Sequence, residues 1–372
     1  MQHIVIIGCG VIGASIAYEL SRESQFRITV LDRQSPAQEA TGAALGVLMG
    51  IISQKTKGRA WAMRQASMQR YETLIPELEA ITGKDIPWNR QGILKLLFEE
   101  DDRAKWGRLA EFRQSQGWRL EQWDWEMIRA RCPQIQNPRV TGAVYSPDDR
   151  QVDPTKLTLA LVEAAQQNGV TFRFNANVTQ LWQEPSTADR FTCQQVQLEN
   201  EMLSADWVVV SAGLGSMQLT QTFNQPIALQ PVLGQAMRIK LLQPMGDLHF
   251  QPVITGEDIH IVPLGNAEYW IGATVEFPAS DEGMVNLEQP QTDRLETVWQ
   301  GAIALCPELA QADVLHTWSG VRPRPSNRPA PIVEPMANYT NVLLATGHYR
   351  NGVLLAPATA QMVRSMLLDH HS

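Results

Sequence analysis

The chain has 372 residues, about two domains at roughly 150 residues each. Hydrophobic residues make up 44% and charged ones 19%, which excludes a disordered or fibrous chain and leaves enough apolar surface for a large core. The net charge of −8 comes from 31 basic and 39 acidic residues, and the absence of a basic block argues against a nucleic-acid partner.

The N-terminus reads as a βαβ unit. His3 to Ile7 is a continuous apolar run, as a parallel strand buried on both faces requires. Ile12, Ile16 and Leu20 follow at helical spacing, and Arg27 to Leu31 makes a second strand. Arg59 to Ile81 is the longest helical pattern, with Gly83 as its stop. After Pro87 short strand-like runs (Gly92 to Phe98, Thr141 to Tyr145) flank charged, Trp-bearing helices. Pro154 to Asn168 reads as a helix with Pro in its first turn. Trp207 to Val210 is another strand, Pro226 to Glu276 reads as short strands only, and Gln291 to Leu305 is a helix. The chain closes with a strand (Asn341 to Thr346), a Gly-rich turn and a helix opened by Pro357.

The βαβ texture therefore recurs in three separated segments. An α/β fold is expected, with one domain from 1–84, 151–225 and 317–372 and an antiparallel-sheet domain from 85–150 and 226–316. The four cysteines are far apart and form no CxxC pair, so neither a disulfide framework nor a metal site is expected. The longest nearly apolar stretch, Ala43 to Ile52, is about half a membrane span. The first strand begins almost at the initiator Met, so a cytoplasmic chain with no signal peptide is expected.

Gly8-Cys9-Gly10-Val11-Ile12-Gly13 follows a strand and opens a helix. In this pattern Gly8 makes the tight turn, Gly10 admits a pyrophosphate to the backbone and Gly13 allows close helix–strand packing. The phosphates then sit on the helix N-terminus. Asp32 ends the next strand, placed to accept hydrogen bonds from a ribose. Arg33 would suggest a 2′-phosphate, but Asp32 beside it would repel one. The pattern points to a dinucleotide without separating FAD from NAD.

Ala40-Thr41-Gly42-Ala43-Ala44-Leu45-Gly46-Val47-Leu48 is rich in small residues, which suits a backbone lying against a flat ligand or a close helix–helix contact. Together with Gly347-His348-Tyr349-Arg350-Asn351-Gly352-Val353-Leu354-Leu355-Ala356-Pro357, Trp318-Ser319-Gly320-Val321-Arg322-Pro323, and Ile261-Val262-Pro263 with Ile271 to Thr274, it resembles the FAD-dependent D-amino acid oxidase family. Within that family the glycine oxidases of thiamine biosynthesis are the closest match. The resemblance runs from residue 1 to about 365.

The resemblance implies a glutathione-reductase-like FAD domain and a substrate domain whose sheet roofs a non-covalent flavin. It implies cofactor contacts from Gly8, Gly10, Val11, Ile12, Gly13, Asp32 and Arg33, then from Ala40, Thr41 and Leu45 to Val47 (Gly46 included). Val178 would meet the adenine, and His348, Tyr349, Arg350, Asn351, Gly352, Val353 and Leu354 the pyrimidine end of the flavin. There the amides of a turn and helix start would favour the negative charge of the reduced ring.

The family pattern makes Arg322 a two-point clamp on a substrate carboxylate, with Arg350 nearby. Arginine suits that task because its planar fork matches a carboxylate and stays protonated. Arg322 reads as following a buried strand, whereas Arg324 and Arg328 read as solvated loop charges. His260 stands where glycine oxidases carry a tyrosine, and Val47 where they carry a methionine; a histidine donates only from a protonated nitrogen. The reaction expected is oxidation of glycine, sarcosine or a small D-amino acid, by hydride transfer from the α-carbon to flavin N5 with oxygen as acceptor. The products are an oxo acid, ammonia and peroxide, and the family's assembly is a homotetramer. The alternatives are a dehydrogenase that passes electrons to a quinone or carrier, and a non-catalytic FAD-binding protein.

Overall fold

The apolar run after His3 forms the middle of a six-stranded sheet in a computed structural model that describes residues 1–187, 189–223, 225–277 and 290–369. The strand order is Ile332–Pro335, Val342–Thr346, Trp207–Val210, Gln2–Ile7, Phe26–Leu31 and Thr171–Arg173. Only Ile332–Pro335 runs antiparallel to its neighbour. Alternate residues of the central strand enter two different cores. Ile4 and Ile6 join the helices Val11–Leu20, Gly58–Thr82, Pro154–Gln167 and Gly352–Asp369. Val5 and Ile7 pack with Leu181, Val196 and Leu198, from strands that cover the other face. That two-sided burial explains a strand with no polar alternation.

The helix ends follow local chemistry. Asp153 caps Pro154–Gln167 by accepting from the Lys156 N–H at 2.9 Å. Gly83, at φ 66°, ends Gly58–Thr82 with its N–H on the Glu79 carbonyl. The last helix departs from expectation, because it starts at Gly352 and carries Pro357 inside. A proline there has no N–H for the Val353 carbonyl, and the Tyr71 hydroxyl donates to that oxygen instead.

The second sheet has eight strands, in the order Asp313–Pro325, Leu229–Lys240, Glu268–Gly272, Ile259–Gly265, Val253–Gly256, Ile93–Leu97, Gly142–Ser146 and Glu121–Trp123. Its pairings are antiparallel except for Val253–Gly256 beside Ile93–Leu97, so the sheet is mixed. Leu229–Lys240 and Asp313–Pro325 are 12 and 13 residues long, where the prolines suggest only short strands. The reason is register. Pro231 lies opposite Pro323, and Leu233 exchanges both main-chain bonds with Glu276 on its other side. Pro231, two residues away, therefore turns its nitrogen off the paired edge too, and no ladder bond is lost there.

One face of this sheet packs Leu94, Ile254, Ile261 and Ile271 against the helix Thr292–Leu305. The opposite face carries Ile93, Val253, Val262 and Ala236, which pack on Leu45. The cleft described below opens between that face and the C-terminal edge of the six-stranded sheet, where α/β folds bind ligands.

The apolar stretch ending at Ile52 turns inward. Asp149 accepts from the N–H groups of Gly50, Ile51 and Ile52. Arg113, stacked on Trp61, donates to the carbonyls of Ile51, Ser53 and Lys55. Ile51 and Ile52 are buried, so this stretch offers no apolar face for docking. All four cysteines are free and buried. Among the described residues there is no metal-binding cluster, and no helix is long and apolar enough to cross a membrane.

Candidate active site

The glycine loop has little room for side chains. Gly8 holds φ 103°, and a Cβ on Gly13 would lie 1.9 Å from the Gly8 carbonyl oxygen. The pair therefore locks the strand end to the helix start, and any larger residue at Gly13 would open it. Gly10 N-caps the helix without a side chain, and the Thr41 hydroxyl takes the Val11 N–H at 3.0 Å. Asp32 is oriented by the N–H groups of Cys9 and Gln34. Burial raises its pKa above the usual carboxylate value, against those two donors. Arg33 is paired with Glu39 at 2.7 Å on the surface, so it does not present a free guanidinium for a 2′-phosphate.

These groups line one cleft. Gly8, Gly10, Val11, Ile12, Asp32 and Arg33 form one wall, continued by Ala40, Thr41, Leu45, Gly46, Val47 and Val178. His348, Tyr349, Arg350, Gly352, Val353 and Leu354 close the far end, with His260 and Arg322 in the roof. Two expected contacts are not in the lining. Gly13 packs behind Gly8, and Asn351 turns its side chain to the buried Arg64. The small residues after Gln38 serve both readings of that segment. They line the cleft, and Ala43 sits so close to Gly320 that a Cβ there would be 2.1 Å away. The Trp318 indole N–H also bonds the Ala43 carbonyl at 3.0 Å.

The far end is a turn, Tyr349–Asn351, leading directly into the last helix. Gly347 and Tyr349 both hold positive φ, 67° and 53°, and an aromatic residue there is held by its surroundings. His348 is buried, with Nε2 2.9 Å from the Thr359 hydroxyl. Burial, then the charge of Arg59, lowers its pKa to about 3, so it is neutral.

Arg322 lies within the Asp313–Pro325 strand rather than after a buried one, and most of that strand is half-buried or exposed. Its guanidinium rests on Gly234, where a Cβ would lie 2.3 to 2.5 Å from three of its atoms. One guanidinium nitrogen donates to the carbonyls of Leu233 and Thr274, both at 3.0 Å. No carboxylate pairs with it among the described residues. Burial, and then the charge of Arg350, lowers its pKa, though an arginine remains protonated. Arg350 is more exposed and meets Asp258 at 3.2 Å. His260 is driven to about 4 by burial first and by Arg350 next, so it is neutral, and its Nδ1 is buried without a partner.

Arg324 is not a loop charge. It stands in the strand, with its guanidinium over the rings of Phe277 and Tyr349. Arg328 pairs with Glu334 on the surface. The sequence reading missed the cleft residues Ser211 and Gly213 and the seat Gly234. Ser211 to Gly215 is a glycine-bearing turn straight after a parallel strand, a signal of the same kind as the first loop. Gly234 carries no such signal, because its role appears only when two long strands pair.

These observations test the fit of a flavin dinucleotide. A side-chain-free loop, an oriented acid, a small-residue wall and a turn capped by a helix start converge on one cleft, and they fit FAD.

The family model described as FAD dependent oxidoreductase matches residues 3–366. A bifunctional protein ThiO/ThiG of Synechocystis sp. is 32% identical over 99% of this chain, and the match covers 52% of that protein. The chain thus spans about half the length of these bifunctional relatives. The glycine oxidase of Bacillus licheniformis is 27% identical over 98% of this chain and 93% of its own length. The crystal structure of glycine oxidase from Geobacillus kaustophilus superposes with a TM-score of 0.86 at 24% identity, over 99% of this chain and 95% of that one, a likeness of fold. The α/β architecture, the cleft and the match over nearly the whole length agree, and the chain belongs to the FAD-dependent oxidoreductase family.

Proposed function

We propose that the chain is an FAD-dependent amino acid oxidase that deaminates glycine, sarcosine or a small D-amino acid. The observation that carries this reading is Arg322, a largely buried guanidinium held, among the described residues, by two main-chain carbonyls. A buried cation without a carboxylate partner is costly unless a ligand brings one, and a substrate carboxylate supplies that charge.

FAD, when bound, would supply the acceptor for the substrate's hydride, which carries both electrons, with oxygen as the final oxidant. Everything else falls to the chain's own residues. The Leu233 and Thr274 carbonyls fix one nitrogen of Arg322, so its remaining N–H groups can fork onto a carboxylate. Arg350 adds positive potential at the same end, tempered by Asp258. Neutral His260 adds no third charge at that point. Holding the substrate by its carboxylate fixes the α-carbon, and orientation of that kind lowers the barrier without an acid–base pair. The overall change balances as amino acid, oxygen and water giving oxo acid, hydrogen peroxide and ammonia, or methylamine in place of ammonia from sarcosine.

The reading includes a FAD domain from 1–84, 151–225 and 317–372 and a substrate domain from 85–150 and 226–316. It also includes a cytoplasmic location and the homotetramer of the family. Purified protein should be yellow, and acid precipitation should release all of the colour as FAD. Anaerobic addition of glycine, sarcosine or D-alanine should bleach the flavin, while bulky L-amino acids should not. Bleaching by a bulky L-amino acid alone would overturn the assignment.

A further inference from the structure

Lys95, Thr255 and His260 stand side by side on neighbouring strands. Lys95 pairs with Thr255, and Thr255 with His260, so the three side chains share one sheet face, and His260 lines the cleft. Around the three it carries Ile93, Leu97, Val253 and Val262. Ile93 and Leu97, on either side of Lys95 along its strand, pack with Met49 and, for Leu97, with Ile52. The strip thus starts at His260, in the cleft roof, and continues through Thr255 to Lys95, beside Met49 and outside the cleft lining itself.

None of the three side chains makes a hydrogen bond or ion pair among the described residues. His260 Nδ1 is buried and unpartnered, and Thr255 is 4% exposed. Three cations, Arg350, Arg322 and Lys95, act on His260, against the single carboxylate of Asp258. Asp258 is itself largely exposed and already meets Arg350. One substrate carboxylate on Arg322 therefore leaves Lys95 still without a partner among the described residues, beside the Thr255 hydroxyl.

We propose that this strip extends the substrate pocket and holds a second carboxylate, so that the site takes an amino or imino acid with two acidic groups. The inference rests on the reading that Arg322 holds the first carboxylate. Lys95 supplies the counter-charge, the Thr255 hydroxyl donates, and neutral His260 closes the strip without repelling the ligand's amine.

Titrating the FAD-loaded enzyme with butyrate and with succinate, followed by the flavin absorbance, separates the two sites, since the ligands share a four-carbon length. Succinate should bind about 10- to 100-fold tighter, the size of one hydrogen-bonded charge contact. Lys95→Met and Lys95→Gln should remove that advantage and leave butyrate affinity unchanged. Anaerobic bleaching should show the same preference for iminodiacetate or D-aspartate over glycine. Whichever of these two reduces the flavin faster tells whether the second acid is carried on nitrogen or on the α-carbon. Succinate binding no tighter than butyrate, or a preference that survives both variants, overturns the second subsite while leaving Arg322 in place. If neither carboxylate binds and no amino acid bleaches the flavin, the Arg322 reading fails first and the subsite falls with it.

Discussion

The Tyr71 hydroxyl donates to the Val353 carbonyl, the one acceptor that Pro357 leaves without its helical donor. One turn earlier on the same helix, the Ser67 hydroxyl accepts from the Ala358 N–H at 3.2 Å. The helix Gly58–Thr82 thus supplies the donor that the proline lacks and also holds the next N–H, and so it fixes the last helix under the cleft.

Tyr71→Phe should accordingly lose about 1–3 kcal/mol of stability, the cost of a buried carbonyl left unpaired. In a Pro357→Ala background a regular N–H satisfies Val353, so the same substitution should cost little. A double-mutant cycle by urea denaturation measures the coupling. Equal costs in both backgrounds would show that the hydroxyl does not replace the missing donor.

Much of this architecture is legible along the chain, and what escapes depends on pairing across it. The continuous run from His3 to Ile7, the loop of Gly8, Gly10 and Gly13, and Asp32 are local patterns, and each lies where its spacing requires. The start of the last helix is hidden because Pro357 reads as a first-turn residue, and its tolerance depends on Tyr71, far away in sequence. The long strands are hidden because Pro231 and Pro323 read as breakers until they face each other. Arg324 reads as a solvated charge because nothing local announces the Tyr349 ring beneath it. Gly234 belongs to the same class, a glycine whose reason is an arginine 88 positions later in the numbering.

Acidification should weaken the fold through His348. Its pKa falls from about 6.5 unfolded to about 3 folded, so its neutral form is fully compatible with folding above about pH 6.5. Stability is then lost as pH falls, because the unfolded chain takes up a proton the folded one refuses. By pH 5 the loss is about 2 kcal/mol. The stability difference between wild type and His348→Gln, measured by denaturation at pH 7 and pH 5, should shrink by about that amount. A difference that stays constant across this range would mean His348 is not held neutral.

Removing Arg322 tests the substrate clamp. Arg322→Ala should keep its FAD and fold, yet lose about 2–5 kcal/mol of transition-state binding. At about 1.36 kcal/mol per decade, that is roughly 30- to several-thousand-fold in kcat/KM. Arg322→Lys should recover only part, since an ammonium lacks the fork. Arg328→Ala should change little, because its partner Glu334 is a surface group. A primary amine without a carboxylate should be turned over equally by wild type and Arg322→Ala. Near-wild-type turnover of glycine by the flavin-loaded alanine variant would remove Arg322 from the site.

The seat beneath that arginine gives the most specific test. A Cβ at position 234 would come within 2.3 to 2.5 Å of the guanidinium, so Gly234→Ala must push it aside. The displaced group is the end of a flexible side chain, so the fold and the bound FAD should survive. What is lost is the pair of bonds to Leu233 and Thr274, and with them the aim of the fork. A misplacement of about 1 Å can cost on the order of 100-fold, and here it should appear chiefly as a raised KM for carboxylate substrates. The effects should not add, because both changes act on one contact. Gly234→Ala combined with Arg322→Ala should be no slower than Arg322→Ala alone. Steady-state kinetics of the two single variants and the double variant check this. Additive losses would mean that Gly234 serves the site by some route other than the position of Arg322.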